Sequence, residues 1–196
     1  MLVFYDAPYS GNTWKVRLLL RQLEIPHQVV KLDLFKGEAR TPGFRARNPF
    51  GRVPFITEDD DFSLSESNAI LLHLSRGSFL LPADPRSLAH VHEWMFFEQN
   101  QLELNIGLPR IFRKAQPAEA ERLDSYFRPR AVSALKVLER HLASREWLAG
   151  SYSVADIALC AYTQLAPDAG HDLAAYPSVS AWLARIRAQP GFIELE

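Results

Sequence analysis

Hydrophobic positions follow two regimes along this chain. Residues 2 to 5 (LVFY) are a short apolar, β-prone run that stops at Asp6-Ala7-Pro8. Val16, Leu19, Leu20 and Leu23 then recur with a helical period, directly after Ser10-Gly11-Asn12. After a break at Pro26, Val30, Leu32 and Leu34 alternate with Lys31 and Asp33, the pattern of a second strand over residues 28 to 34. The N-terminal segment therefore predicts a βαβ unit with parallel strands.

A polar stretch from Lys36 carries weak helical signals and ends in the turn-forming run Asn48-Pro49-Phe50-Gly51. Arg52-Val53-Pro54-Phe55-Ile56 reads as a short strand whose proline confines it to an edge or to a special backbone arrangement. The acidic run Glu58-Asp59-Asp60-Asp61 predicts a hairpin tip before Phe62-Ser63-Leu64. A helix is expected next, with Ser65 as its N-cap, Ala69, Ile70, Leu72 and Leu74 within it, and Gly77 just past its end. Residues 78 to 86 (SFLLPADPR) contain two prolines and no period, and read as a linker.

Beyond that point the strand signals disappear. One amphipathic pattern runs from Leu88 to about Ile106, with Val91, Trp94, Met95 and Leu102. A second runs from Ala118 to Leu142, with Pro129 expected to kink it. Ser153-Val154-Ala155-Asp156 predicts a capping box with aspartate in place of glutamate, and residues 178 to 188 predict a last helix. The pattern as a whole predicts an α/β domain of βαβ-ββα order over residues 1–77, a linker at 78–86, and an all-α helical bundle domain over 87–196.

Composition narrows the function classes. With 47% hydrophobic and 23% charged residues the chain is globular rather than disordered. A net charge of −1 gives no electrostatic footprint for nucleic acid or an anionic membrane. No apolar run approaches the ~20 residues of a membrane span. The N-terminal MLVFYDAPYSG lacks the basic and long apolar regions of a secretory signal, so a cytoplasmic protein is expected. The lone Cys160 excludes an intramolecular disulfide, a CxxC pair and a cysteine-rich zinc site, and its setting in Ile157-Ala158-Leu159-Cys160-Ala161 suits a buried packing thiol. His90 and His92, two apart on a helix, point to different faces, and no metal site is expected. Lys36, Arg40, Arg45, Arg47 and Arg52 are opposed only by Glu38, which suits either an anionic small ligand or a solvated loop.

Four motifs carry a resemblance. Tyr9-Ser10-Gly11-Asn12-Thr13-Trp14-Lys15-Val16, Asn48-Pro49-Phe50-Gly51-Arg52-Val53-Pro54, Ser65-Glu66-Ser67-Asn68-Ala69-Ile70 and Ser153-Val154-Ala155-Asp156, in that order, resemble the glutathione transferases over essentially the whole chain. The resemblance implies a thioredoxin-like first domain and a helical second one. It also implies a homodimeric enzyme that stabilises the glutathione thiolate for attack on a small apolar electrophile, with glutathione as co-substrate and no tightly bound cofactor. A glutathione-dependent peroxidase or disulfide reductase, and a non-catalytic binding protein of the same fold, are the alternatives.

The same resemblance assigns roles. Pro54 matches the family's cis-proline, which lets the main chain of Val53 pair with the cysteinyl part of glutathione. Glu66 suits the γ-glutamyl ammonium, while Ser67 and the helix start suit its carboxylate; the two residues also read as a plain helix cap with a first-turn acid. Arg52, where the family usually has lysine or glutamine, and Arg40 would meet the glycyl carboxylate. A free thiol of pKa ~8.5 is mostly protonated at neutral pH, so a hydroxyl and a helix N-terminus are needed to hold the thiolate. Ser10 matches the catalytic serine of the serine-type classes and Asn12 an assisting asparagine of some bacterial members, though Ser10 also reads as an N-cap and Asn12 as a turn residue. Tyr5 competes, because the tyrosine-type classes carry their hydroxyl at the end of the first strand, and Tyr9 could add a hydroxyl at the mouth of the site. Asp156 resembles a folding-related cap worth about 1 kcal/mol or more.

Overall fold

Strand β1 (Leu2–Asp6) is the organising element of the N-terminal half, because successive side chains leave it on opposite faces. Leu2 and Phe4 join Val16, Leu20, Ile56 and Ile70 in one buried cluster, whereas Tyr5 joins Ala39, Phe44 and Phe55 in another. These clusters cement helices to both faces of a four-stranded sheet of order β2-β1-β3-β4. Strand β2 (Gln28–Lys31) pairs parallel with β1, with Phe4 opposite Val29, after helix α1 (Gly11–Gln22). Strand β3 (Phe55–Glu58) lies antiparallel to β1, and β4 (Phe62–Ser65) antiparallel to β3, with Ile56 opposite both Phe4 and Leu64. Helix α2 (Pro42–Arg47) supplies Phe44 to the second cluster, and α3 (Ser67–Leu74) supplies Ile70 to the first.

The computed structural model describes residues 1–59 and 62–195, and divides the chain into one unit of Met1–Ser78 with Pro190–Glu196 and another of Phe79–Gln189. The Asp60-Asp61 part of the expected hairpin tip lies outside the described residues.

Several local expectations are corrected in the first unit. The second strand is shorter than residues 28 to 34 and exposed along its length, because it lies at the sheet edge and the chain turns at Asp33. There the Asp33 carboxylate accepts from the main-chain N–H groups of Phe35 and Lys36. Ser65 is no helix cap: it closes β4 and its hydroxyl donates to Asn48 Oδ1 at 2.9 Å, leaving Glu66 in the N-cap position of α3. The last residues return to this unit rather than to the helical one. The Trp14 indole N–H donates to the Ile193 carbonyl at 2.9 Å, and Phe192 meets the Trp14 ring edge-on.

The second unit is all helical. Helix α4 (Pro85–Phe97), N-capped by Asp84, continues into a π-helical segment, Glu98–Gly107, and then α5 (Leu108–Ala115). The single long helix expected up to Ile106 is thus widened over its final turns. Gly107 allows this region to press on its neighbour, since a Cβ there would lie 2.8 Å from the Tyr162 ring. Helix α6 (Pro117–Leu142) continues through Pro129. Helix α7 (Val154–Thr163) is buried at every position and forms the core, with α8 (Pro177–Arg187) contributing Val179, Trp182, Leu183 and Ile186. Residues 79 to 86 are built into this unit rather than linking to it: Leu80 is fully buried and its carbonyl accepts from Val154 N. Among the described residues, no helix is long and apolar enough to cross a membrane.

The capping box at α7 is present. Asp156 accepts from Ser153 N and Ser153 Oγ through Oδ2, and from Leu148 N and the Trp182 indole through Oδ1. One fully buried carboxylate therefore ties together the start of α7, the loop before it and α8.

Candidate functional site

The site is built where the loop after β1 enters α1. Ser10 is the N-cap, with extended backbone angles and an Oγ that accepts from Thr13 N at 3.4 Å. Thr13 closes the loop from below, its hydroxyl donating to the Ala7 carbonyl at 2.8 Å. Tyr9, exposed, adopts a φ of 66°. Behind the loop, buried Asp6 faces the Arg17 guanidinium at 3.5 Å. The loop is thus held by side chains at both ends, and Ser10 stands half-buried at its rim.

The start of α3 meets the start of α1. Glu66 is exposed, with φ 72° and ψ 115°, a conformation that costs a non-glycine residue about 1–3 kcal/mol. Ser67, next to it, is buried, and its hydroxyl donates to Asn12 Oδ1 at 3.0 Å. Lys15, on α1, has no exposed surface and donates from Nζ to Ser67 Oγ at 3.4 Å. Replacing Glu66 by glycine is expected to raise stability by about 1 kcal/mol, because the strain is released. Thermal unfolding would read the gain.

Asn48 organises the third approach. It is fully buried, donates to the Arg52 carbonyl at 2.7 Å, and accepts from both Ser65 Oγ and Phe50 N. It therefore pins the loop that carries Val53 and Pro54, whose peptide bond is cis, against β4. Arg52 and Arg40 are exposed. Tyr5 stands apart from these groups, with its ring packed on Phe44 and Phe55 under the Arg47 guanidinium and only 6% of its surface exposed.

The structure thus brings Ser10, Asn12 and Ser67 onto two neighbouring helix starts and sets Tyr5 in the core. Lys15 escaped the reading of the sequence. Its signal was a cation four residues before Leu19, on the inward stripe of α1. Beside the Ser10 loop is a concavity of about 330 Å³ whose apolar walls, Ala7, Pro8, Leu32, Leu34 and Phe35 with Tyr9, are joined by the charged Lys31, Asp33 and Glu38. A larger one of about 740 Å³ in the second unit, lined by Trp94, Phe97, His141 and Trp147, contains none of the candidate site residues, so size alone does not select the site.

Comparison with known proteins gives the family and the fold. Residues 4–77 match the family model of the glutathione S-transferase N-terminal domain, and residues 107–194 that of the C-terminal domain. The disulfide-bond oxidoreductase YfcG of Escherichia coli is 31% identical over 97% of this chain and 92% of its own length. A glutathione S-transferase structure from Pseudomonas fluorescens is similar at a TM-score of 0.94 and 37% identity, covering 99% of this chain and 98% of that one. A second family member from that organism, solved with two glutathione molecules bound, is similar at 0.87 and 25%, covering 97% and 89%.

Proposed function

The chain belongs to the glutathione S-transferase family, and on that premise we propose that its first unit binds glutathione, holds the sulfur as a thiolate at Ser10 and Asn12, and delivers it to a small apolar electrophile. The observation that carries this reading is the 3.0 Å hydrogen bond between Ser67 and Asn12, 55 residues apart in sequence. One of these suits the γ-glutamyl carboxylate and the other the sulfur, and a ligand with both groups is what their contact favours. Glu66 takes the ammonium, the main chain of Val53 pairs with the cysteinyl part, and Arg52 with Arg40 meets the glycyl carboxylate. The concavity beside Pro8 and Tyr9, with Leu32, Leu34 and Phe35 in its wall and charged residues beside them, supports a co-substrate with an apolar part.

In conjugation the thiolate forms a carbon–sulfur bond, the leaving group departs with its bonding pair, and the thiol proton passes to solvent. The protein's part is to keep the thiolate populated near neutral pH. The thiolate belongs to the ligand, since Cys160 lies buried in α7. No tightly bound cofactor is required, and the working species is read as a cytoplasmic homodimer without nucleic-acid or membrane partners.

A second reading, glutathione-dependent disulfide reduction, is favoured by the similarity to the Escherichia coli oxidoreductase. There the same thiolate would attack one sulfur of the disulfide, forming a mixed disulfide and expelling the other half as a thiolate that takes a proton from solvent. A second glutathione thiolate would then displace the remaining half as glutathione disulfide forms. Calorimetric titration with glutathione, followed by turnover of an aryl halide and of a small disulfide, separates the possibilities. Binding with faster aryl halide turnover is expected. Disulfide turnover alone selects the second reading, and absence of glutathione binding overturns both in favour of a protein that kept only the fold.

A further inference from the structure

Lys15 is an ammonium group without exposed surface, and removing such a charge from water costs several kcal/mol. Its setting gives that charge a use. Lys15 Nζ donates to Ser67 Oγ, and Ser67 Oγ donates to Asn12 Oδ1. The ammonium fixes the direction at its own end of this chain and favours a donating Ser67 hydroxyl at the other. An ammonium has donors and no acceptor, so Lys15 occupies one of the two lone pairs of Ser67, and the single Ser67 proton is placed on Asn12 Oδ1. Asn12 accordingly turns its oxygen to Ser67, and its amide nitrogen, with two donor hydrogens, lies on the other side of the carboxamide. With no cation behind it, the Ser67 hydroxyl could accept from the amide as readily as donate to it, and either orientation of the carboxamide would be satisfied.

We infer that Lys15 is a positioning residue: acting through Ser67, it locks the donor side of the Asn12 carboxamide toward the glutathione thiolate. This rests on the reading that glutathione's sulfur lies at Ser10 and Asn12. It leaves the main-chain N–H of Ser67, which at the first position of α3 has no intrahelical acceptor, to meet the γ-glutamyl carboxylate. Glutathione recognition and thiolate stabilisation therefore share one residue, the first through its main chain and the second through its hydroxyl, and a single buried cation orients that hydroxyl.

The test is the pKa of the bound thiol, followed by thiolate absorbance against pH at saturating glutathione. In Lys15→Met, which keeps the side chain's length in a site without exposed surface, the bound thiol is expected to titrate about one unit higher, a tenfold loss of thiolate at neutral pH. Lys15→Arg, also donor-only, should retain the wild-type value. Affinity for S-methylglutathione, which has no ionisable thiol, should stay within about threefold in both variants, because the lock acts on the sulfur. An unchanged thiol pKa in Lys15→Met, no rescue by arginine, or an equal loss of affinity for both ligands overturns the inference. Should Lys15→Met fail to fold, Ser67→Ala breaks the same chain while keeping the cation; a rise of similar size supports the inference and a wild-type value overturns it. Wild-type protein that binds no glutathione overturns the underlying reading instead, a result distinct from all of these.

Discussion

Replacement of Asp156 by alanine is expected to destabilise the second unit by about 4 kcal/mol, because several buried donors would be left without an acceptor at once. Leu148 N, Ser153 N and the Trp182 indole all point at a carboxylate that has no exposed surface. The loss exceeds that of an ordinary N-cap, about 1 kcal/mol, because the same group also fastens α8 and the loop before α7. Denaturant unfolding measures it, and a loss under about 1 kcal/mol would mean that the box is only a local cap.

The same residue gives stability a pH dependence. Burial pushes the Asp156 carboxyl up from 3.8 to about 6, against the opposing pull of the Trp182, Leu148 and Ser153 donors. The folded state then holds this proton more tightly than the unfolded state does. Its contribution is fully present below pH 3.8 and is lost as pH rises through about 6. With about 1.4 kcal/mol per unit, the span is on the order of 3 kcal/mol, and Asp156→Asn should remove that component of the slope.

The second large effect concerns Ser10. Its hydroxyl can accept from Thr13 N with a lone pair and donate its proton to a thiolate, so capping and catalysis do not compete for the group. A hydrogen bond to a charged sulfur is worth about 1.5–3 kcal/mol, and Ser10→Ala is therefore expected to lower conjugation about 10- to 100-fold. Glutathione binding should stay within about threefold, since Ser67, Glu66 and Val53 are untouched. Ser10→Gly separates the two roles: glycine is nearly as good a cap as serine, so a capping residue would tolerate it while a thiolate donor would not. Full activity in both variants would move the role to Asn12 or Tyr5. Tyr5→Phe is expected to leave activity unchanged, because the Tyr5 ring lies in the aromatic cluster with Phe44 and Phe55.

Much of the frame was legible because it is written locally. The β1 run, the Ser10 cap and the Ser153–Asp156 box each sit in a few adjacent residues whose chemistry has few other uses. Most of the departures come from partners distant in sequence, although the second strand is cut short by a local turn at Asp33. Ser65, Glu66 and Ser67 offer three polar residues for one cap, and Asn48 decides among them by taking the Ser65 hydroxyl into the sheet. The return of the C-terminal residues depends on a main-chain carbonyl, that of Ile193, which no side chain announces. Lys15 was hidden for a related reason, since a lysine on a helix reads as solvated until its face is known. The π-helical widening after Phe97 carries no period of its own in the sequence.

The proposed function requires one property, that the protein binds glutathione and lowers the pKa of its thiol. Thiolate absorbance of glutathione bound to the wild-type protein, titrated with pH, tests this most directly. The bound thiol is predicted to titrate at least one unit below the ~8.5 of a free thiol. A bound thiol that titrates at the free value, or no bound glutathione, would contradict it.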